Sequence, residues 1–207
     1  MPSPLATRSF LLAASTLVLG CAPGVSVRTD ERTTHPDAEP IAPFTECTVY
    51  TAREPAVSTA HAEPCSALEY PFHPPASGRH YSRWASFRTY SEPVPWGFLV
   101  HSMEHGAVVL AHHCEGDCSA VTAAFQAIID EQGLDPLCRA EDSPSRFVVV
   151  PDPELEWAIA AVAWERVYLA TCLDMESLRA FVDEVYGHGR ESLCAPGEDR
   201  ETTGWCS

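Results

Sequence analysis

The residue pattern predicts an α+β fold: a small, mainly antiparallel sheet with two helices on one face and a Pro-rich, loop-rich N-terminal half. Three observations carry that expectation. Apolar runs fall in the order strand, helix, strand, strand, helix; only the two helical stretches repeat at three and four residues; and the half preceding them is broken by proline, as in Pro71-Phe72-His73-Pro74-Pro75.

The first twenty residues read as an address. Arg8 supplies a positive start, residues 10–19 an apolar run, and Val18-Leu19-Gly20-Cys21 resembles the lipobox of bacterial lipoprotein signals. The run is too short to span a bilayer, which takes about 20 apolar residues. The resemblance implies that Cys21 becomes the lipidated first residue of the mature chain. With Ala22 next, the expectation is an outer-membrane lipoprotein facing the periplasm or exterior, held to the membrane by its lipid alone.

Residues 21–43 are rich in Thr, Arg, Asp, Glu and Pro with few large apolar residues, and are expected to form a flexible tether. Residues 44–207 are then one extracytoplasmic domain, a normal size for a single core. From residue 46 to 95 the proline content predicts ordered loop with short strands, wrapped around a core made by the rest.

The first clear strand is Ala107-Val108-Val109-Leu110-Ala111, between Gly106 and His112-His113. A helix follows, with Ser119 as N-cap, Val121, Ala124, Phe125, Ile128 and Ile129 on one face, and Gly133 as its stop. Phe147-Val148-Val149-Val150 reads as a strand ended by Pro151. Two apolar runs around Glu165-Arg166 read as a hairpin. Asp174 caps a second helix that buries Leu178, Phe181, Val182 and Val185 and stops at Gly187.

The chain carries 29 acids against 13 basic residues, all arginine, for a net charge of −16. Such a surface repels phosphate backbones and has no basic stripe, so nucleic acid is excluded as a partner, while cations are attracted. A protein partner is left open. Nine cysteines less Cys21 leave eight, an even set that in an oxidising compartment reads as disulfides. Proximity in sequence favours Cys47 with Cys65 and Cys194 with Cys206, with Cys138 and Cys172 as further candidates to join. His112, His113, Cys114 and Cys118 are dense enough for a zinc site, although disulfides compete for the sulfurs.

His101-Ser102-Met103-Glu104-His105-Gly106 packs two imidazoles and a carboxylate into five residues. On a helix His101, Glu104 and His105 share a face; on a strand His101, Met103 and His105 do, with Glu104 on the other side. Upstream, Gly78 permits a sharp turn that could present His80 from a rigid loop.

Pro74-Pro75-Ala76-Ser77-Gly78-Arg79-His80-Tyr81, followed by Val100-His101-Ser102-Met103-Glu104-His105-Gly106, resembles the bacterial domain of unknown function 3105 family. The resemblance runs over roughly residues 70–187, with Ala107 where that family is expected to carry a second glycine. It implies an exported or membrane-tethered domain with His80, His101, Glu104 and His105 as its signature polar residues.

The leading expectation is that His80, His101 and His105, with Glu104 as fourth ligand or supporting partner, bind copper or zinc, for metal handling rather than turnover. Two alternatives stand beside it. The polar groups hydrogen-bond one another to hold the loop-rich half to the sheet of a non-catalytic envelope protein with a protein partner, or they form a metal-dependent hydrolase or oxidase. His-x-x-Glu-His is also the inverted zinc-protease motif, but Gly106 ends any helix at once and no surrounding helical scaffold is predicted.

Overall fold

The computed structural model describes residues 27–138 and 143–206. The expected signal sequence and Cys21 lie outside the described residues. In chain order come β1 (Thr29–Thr34), β2 (Val49–Arg53), β3 (His61–Ala62), β4 (His80–Tyr81), α1 (Trp96–Glu104), β5 (Val108–His112), α2 (Ser119–Gln132), β6 (Phe147–Pro151), β7 (Ile159–Ala163), β8 (Arg166–Ala170) and α3 (Met175–Val185). Six strands form one sheet in the order β1-β2-β8-β7-β5-β6. Every neighbouring pair is antiparallel except β5 with β6. The mainly antiparallel α+β expectation holds.

Side chains alternate across a strand, so the sheet sorts its residues onto two faces. On one, Leu110, Val149, Ala161 and Tyr168 meet Phe125 and Ile128 of α2 and Leu178, Phe181 and Val182 of α3. On the other, Val109, Ala111, Val148, Ala160 and Val162 meet Phe98, Leu99 and Met103 of α1 and the Pro-rich segment. Because both faces are covered, β5 and β7 are buried at every residue and read as continuous apolar runs. The β7–β8 hairpin turns at Glu165, whose φ of 61° is rare outside glycine. Its strain is held by two bonds, from Glu165 N to the Ala76 carbonyl at 2.8 Å and from Ala56 N to its own Oε1 at 2.8 Å.

The two expected helices are present and share a face. Asp174 caps α3, accepting from Ser177 N at 3.3 Å. For α2 the cap is Cys118 rather than Ser119, and the Asp117 carboxylate accepts from Ser119 N at 2.9 Å. The third helix, α1, settles the choice between helix and strand around His101. It starts after Pro95, ends before Gly106 at φ +89°, and is buried from Gly97 through Glu104. A helix buried all round has no solvent-facing polar side, so no amphipathic signal marks it.

Two expectations are corrected. Residues 28–34 and 40 of the supposed tether join the folded body: β1 pairs antiparallel with β2, Pro40 bridges to Cys172, and Arg28 Nε sits 3.0 Å from the buried Glu54 carboxylate. Every residue of β1 is exposed, and it is held by main-chain bonds that need no apolar side chains, which is why composition misplaces it. The disulfides also differ. They join Cys47 to Cys172, Cys65 to Cys206, Cys114 to Cys118 and Cys138 to Cys194. Pairing near neighbours in sequence fails because antiparallel β2 and β8 bring Cys47 and Cys172 to a Cα separation of 5.2 Å across 125 residues.

Candidate metal centre

His101 and Glu104 lie three apart on α1 and face the same side. That side looks onto the two-residue parallel ladder β3–β4, whose register sets His61 beside His80. Gly78, at φ +117°, turns the chain so that β4 can run alongside β3. Gly97 lets α1 approach, since a Cβ there would lie 2.4 Å from the Tyr81 ring. Four ligand atoms, one each from His61, His80, His101 and Glu104, consequently lie within 4.8 Å of one another.

Three of the four residues are buried, while the His61 side chain is 49% exposed and forms the solvent side of the cluster. His101 Nδ1 donates to the Tyr81 carbonyl at 2.6 Å and His80 Nδ1 donates to the Gly78 carbonyl at 2.8 Å. These bonds fix both tautomers and turn each Nε2 inward. A backbone acceptor on the outer nitrogen is the usual support of a metal-binding imidazole. Burial, reinforced by the neighbouring imidazoles of His105, His80 and His61, pushes the His101 pKa down to about 4 against the pull of the Tyr81 carbonyl. Its Nε2 therefore offers a lone pair at neutral pH.

Around the carboxylate, Glu104 Oε2 is 3.0 Å from His80 Nε2 and 3.5 Å from His61 Nε2. Its other oxygen is 3.6 Å from the guanidinium of the exposed Arg190. With Nδ1 already donating, a neutral His80 would turn a lone pair onto a carboxylate lone pair. A proton shared between ring and carboxyl, or a shared cation, removes that conflict.

The structure thus brings together three of the four sequence-derived residues, His80, His101 and Glu104, and adds His61. His105, at the C-cap of α1, stands outside this group. Its ring is 4.7 Å from that of His101, Trp84 packs 4.5 Å from it, and its Nε2 is 3.5 Å from Glu191. Its Nδ1 is buried with no hydrogen-bond partner among the described residues, and burial lowers its pKa despite Glu191 and Glu104. This differs from the inverted-protease pattern, in which both histidines of the motif ligate together. His61 lies in no recognisable motif; its place depends on strand register, and the only local sign is the alternation Ala60-His61-Ala62.

His112, Cys114 and Cys118 form a second compact group, also within 4.8 Å. Both of its sulfurs are bonded to each other, so no thiolate ligand is offered there. The four disulfides are the signature of an oxidising compartment, and no described helix is long and apolar enough to cross a membrane.

A family model described as "Protein of unknown function (DUF3105)" matches residues 61–200, a span that contains His61, His80, His101, Glu104 and His105. No curated protein and no solved structure matches the chain.

Proposed function

From the premise that this chain belongs to the DUF3105 family, we propose that it is a lipid-anchored envelope domain that binds a transition metal, zinc or copper, through His61, His80, His101 and Glu104. Its role in this reading is metal handling rather than turnover. The observation that carries it is the facing pair of His80 Nε2 and Glu104 Oε2, 3.0 Å apart, with His80 Nδ1 committed to a backbone carbonyl. A cation between them turns two opposed lone pairs into two ligand bonds.

Imidazole nitrogens with one carboxylate oxygen suit zinc and copper(II) alike. Metal–nitrogen bonds of about 2.0–2.1 Å require ligand atoms somewhat closer together than the 4.8 Å outer limit here. The half-exposed His61 is the side chain free to close that distance, and it gives the ion a way in from solvent. Four protein donors fill a tetrahedral shell and leave no position for a substrate, which favours handling over catalysis. Two grooves of about 520 and 560 Å³ are lined by other residues. The net charge of −16 raises the local concentration of cations. Attachment through Cys21, on the outer membrane and facing the periplasm or exterior, belongs to the same proposal and rests on the lipobox-like residues 18–21.

A second reading has one observation in its favour. If His80 carries both protons, it bridges the Gly78 carbonyl and Glu104 as a buried ion pair that fastens β4 to α1, and the domain is architectural, its surface serving a protein partner.

The test is elemental analysis of protein exported to the periplasm, beside a His61→Ala, His101→Ala double variant. About one zinc or copper ion per chain, and a higher melting temperature on adding metal, are expected of the wild type alone. Saturation at about 100 times Kd adds roughly 2.7 kcal/mol. A metal-free wild type that gains no stability from either ion rules the proposal out.

A further inference from the structure

We propose that Cys114 and Cys118 form a reversible dithiol–disulfide couple that exchanges electrons with a dithiol substrate, separate from the histidine cluster. The four disulfides differ sharply in what they close. Three join residues 125, 141 and 56 apart and tie distant segments together, whereas Cys114–Cys118 spans a separation of 4. A disulfide braces mainly by shrinking the unfolded ensemble, an effect that grows with loop length, so this bond is the weakest brace of the set.

Its position points to chemistry instead. The pair occupies the junction between β5 and α2, and α2 is the crossover from β5 to its parallel neighbour β6. A closely spaced cysteine pair where a strand feeds a helix of a βαβ unit is the placement of thioredoxin-type centres, here with three residues between the sulfurs instead of two. Cys118 is the N-cap of the 14-residue α2. The N-terminal end of the helix dipole favours a thiolate at Cys118, while Asp117, whose carboxylate already takes the Ser119 amide at 2.9 Å, and Glu115 oppose it.

A basic group also adjoins the pair. His112, nine-tenths buried at the end of β5, holds Nδ1 3.9 Å from Cys114 Sγ. Its neutral imidazole, kept so by burial and by His113, is placed to exchange a proton with that sulfur. Both cysteines are partly exposed, whereas Cys47–Cys172 and Cys138–Cys194 are buried; Cys65–Cys206 is exposed but ties together segments 141 residues apart.

The exchange balances without any other reactant. A thiolate of the incoming dithiol attacks one of the two sulfurs, the Sγ–Sγ bond breaks, and the other sulfur leaves as a thiolate that takes up a proton. The second substrate thiol then attacks the mixed disulfide and releases the second cysteine. The substrate gives up two electrons and two protons and becomes a disulfide, while Cys114 and Cys118 become thiols.

The full-length protein is equilibrated in dithiothreitol redox buffers, free thiols are alkylated, and each cysteine-bearing peptide is read by mass spectrometry. Cys114 and Cys118 are expected to reduce and reoxidise as a pair while the other three bonds stay closed and the circular dichroism is unchanged. His112→Gln, which keeps a polar side chain in that buried place, is expected to slow reduction several-fold while the circular dichroism stays unchanged. A Cys114→Ser, Cys118→Ser double variant should stay folded and no longer oxidise a dithiol peptide. Reduction of this bond only together with the others, or collapse of the double variant, identifies it as a brace and overturns the proposal.

Discussion

His80 Nε2 stands 3.0 Å from Glu104 Oε2 with both groups almost completely buried. The ring comes from a two-residue strand in the Pro-rich half and the carboxylate from a helix against the main sheet, so this one contact joins the two halves of the domain. It is also chemically unfinished, because the His80 Nδ1 proton already goes to the Gly78 carbonyl. Whether a proton or a metal ion completes it separates the two readings of the cluster.

Glu104→Gln distinguishes them. The amide keeps the shape, loses the charge, and can donate to a neutral His80 Nε2. If a metal is the natural occupant, the metal-free variant should melt within about 1 kcal/mol of metal-free wild type, while zinc or copper affinity falls by roughly 10–100-fold. If the contact is a buried ion pair, losing one partner costs about 3–5 kcal/mol. Thermal melts with and without chelator, followed by metal titration, read both quantities.

His61→Ala probes the open side of the cluster. Because that side chain is 49% exposed, its removal should change metal-free stability by no more than about 0.5 kcal/mol. Metal affinity should drop at least tenfold, about 1.4 kcal/mol. Unchanged affinity in calorimetric titration would exclude His61 from the ligand set.

The difference between His61 and His101 also marks what sequence could convey. The β5 and β6 runs, the β7–β8 hairpin, α2 and α3 are legible because a local period or a turn residue specifies each. His101 and Glu104 are legible for the same reason, being three apart. α1 hides its own type because it is buried on every side, and β1 is hidden because all its side chains are exposed. His61 becomes a neighbour of His80 only through β3–β4 register, and Cys47 of Cys172 only through the pairing of β2 with β8. Such contacts belong to topology, and no window of the chain contains them.

Acidification should loosen the metal-free protein through His101. Its folded pKa is pushed to about 4, below its ordinary 6.5. Between those values the unfolded chain binds a proton that the folded one refuses, so stability is full above about pH 6.5 and falls as pH drops toward 4. The loss is on the order of 3 kcal/mol, and His105, lowered in the same direction, adds to it. Denaturant unfolding in chelator at pH 7, 5.5 and 4.5 measures the slope, and His101→Gln should flatten it. An equal slope in that variant would show that other groups govern the acid limb.

Gly189→Ala tests how α1 is held at its C-terminal end. The last carbonyls of a helix have no partner within it, and here they are met from outside. Glu104 O accepts from Glu191 N at 2.8 Å, His105 O from Arg146 Nη1 at 2.8 Å, and Gly106 O from Gly187 N at 3.0 Å. The segment lies so close that a Cβ on Gly189 would come within 2.2 Å of Gly106 N and 2.3 Å of Glu104 O, both backbone atoms that cannot rotate away. Alanine must therefore lift the strip carrying Arg190 and Glu191 off the helix end, leaving carbonyls unpaired beside the cluster. A loss of about 1–3 kcal/mol is expected. The peptide bond after Arg190, sealed by Glu191 N donating to Glu104 O, should become cleavable by trypsin in the folded variant and stay protected in wild type. Equal protection would mean that the backbone yields elsewhere and that this strip does not secure α1.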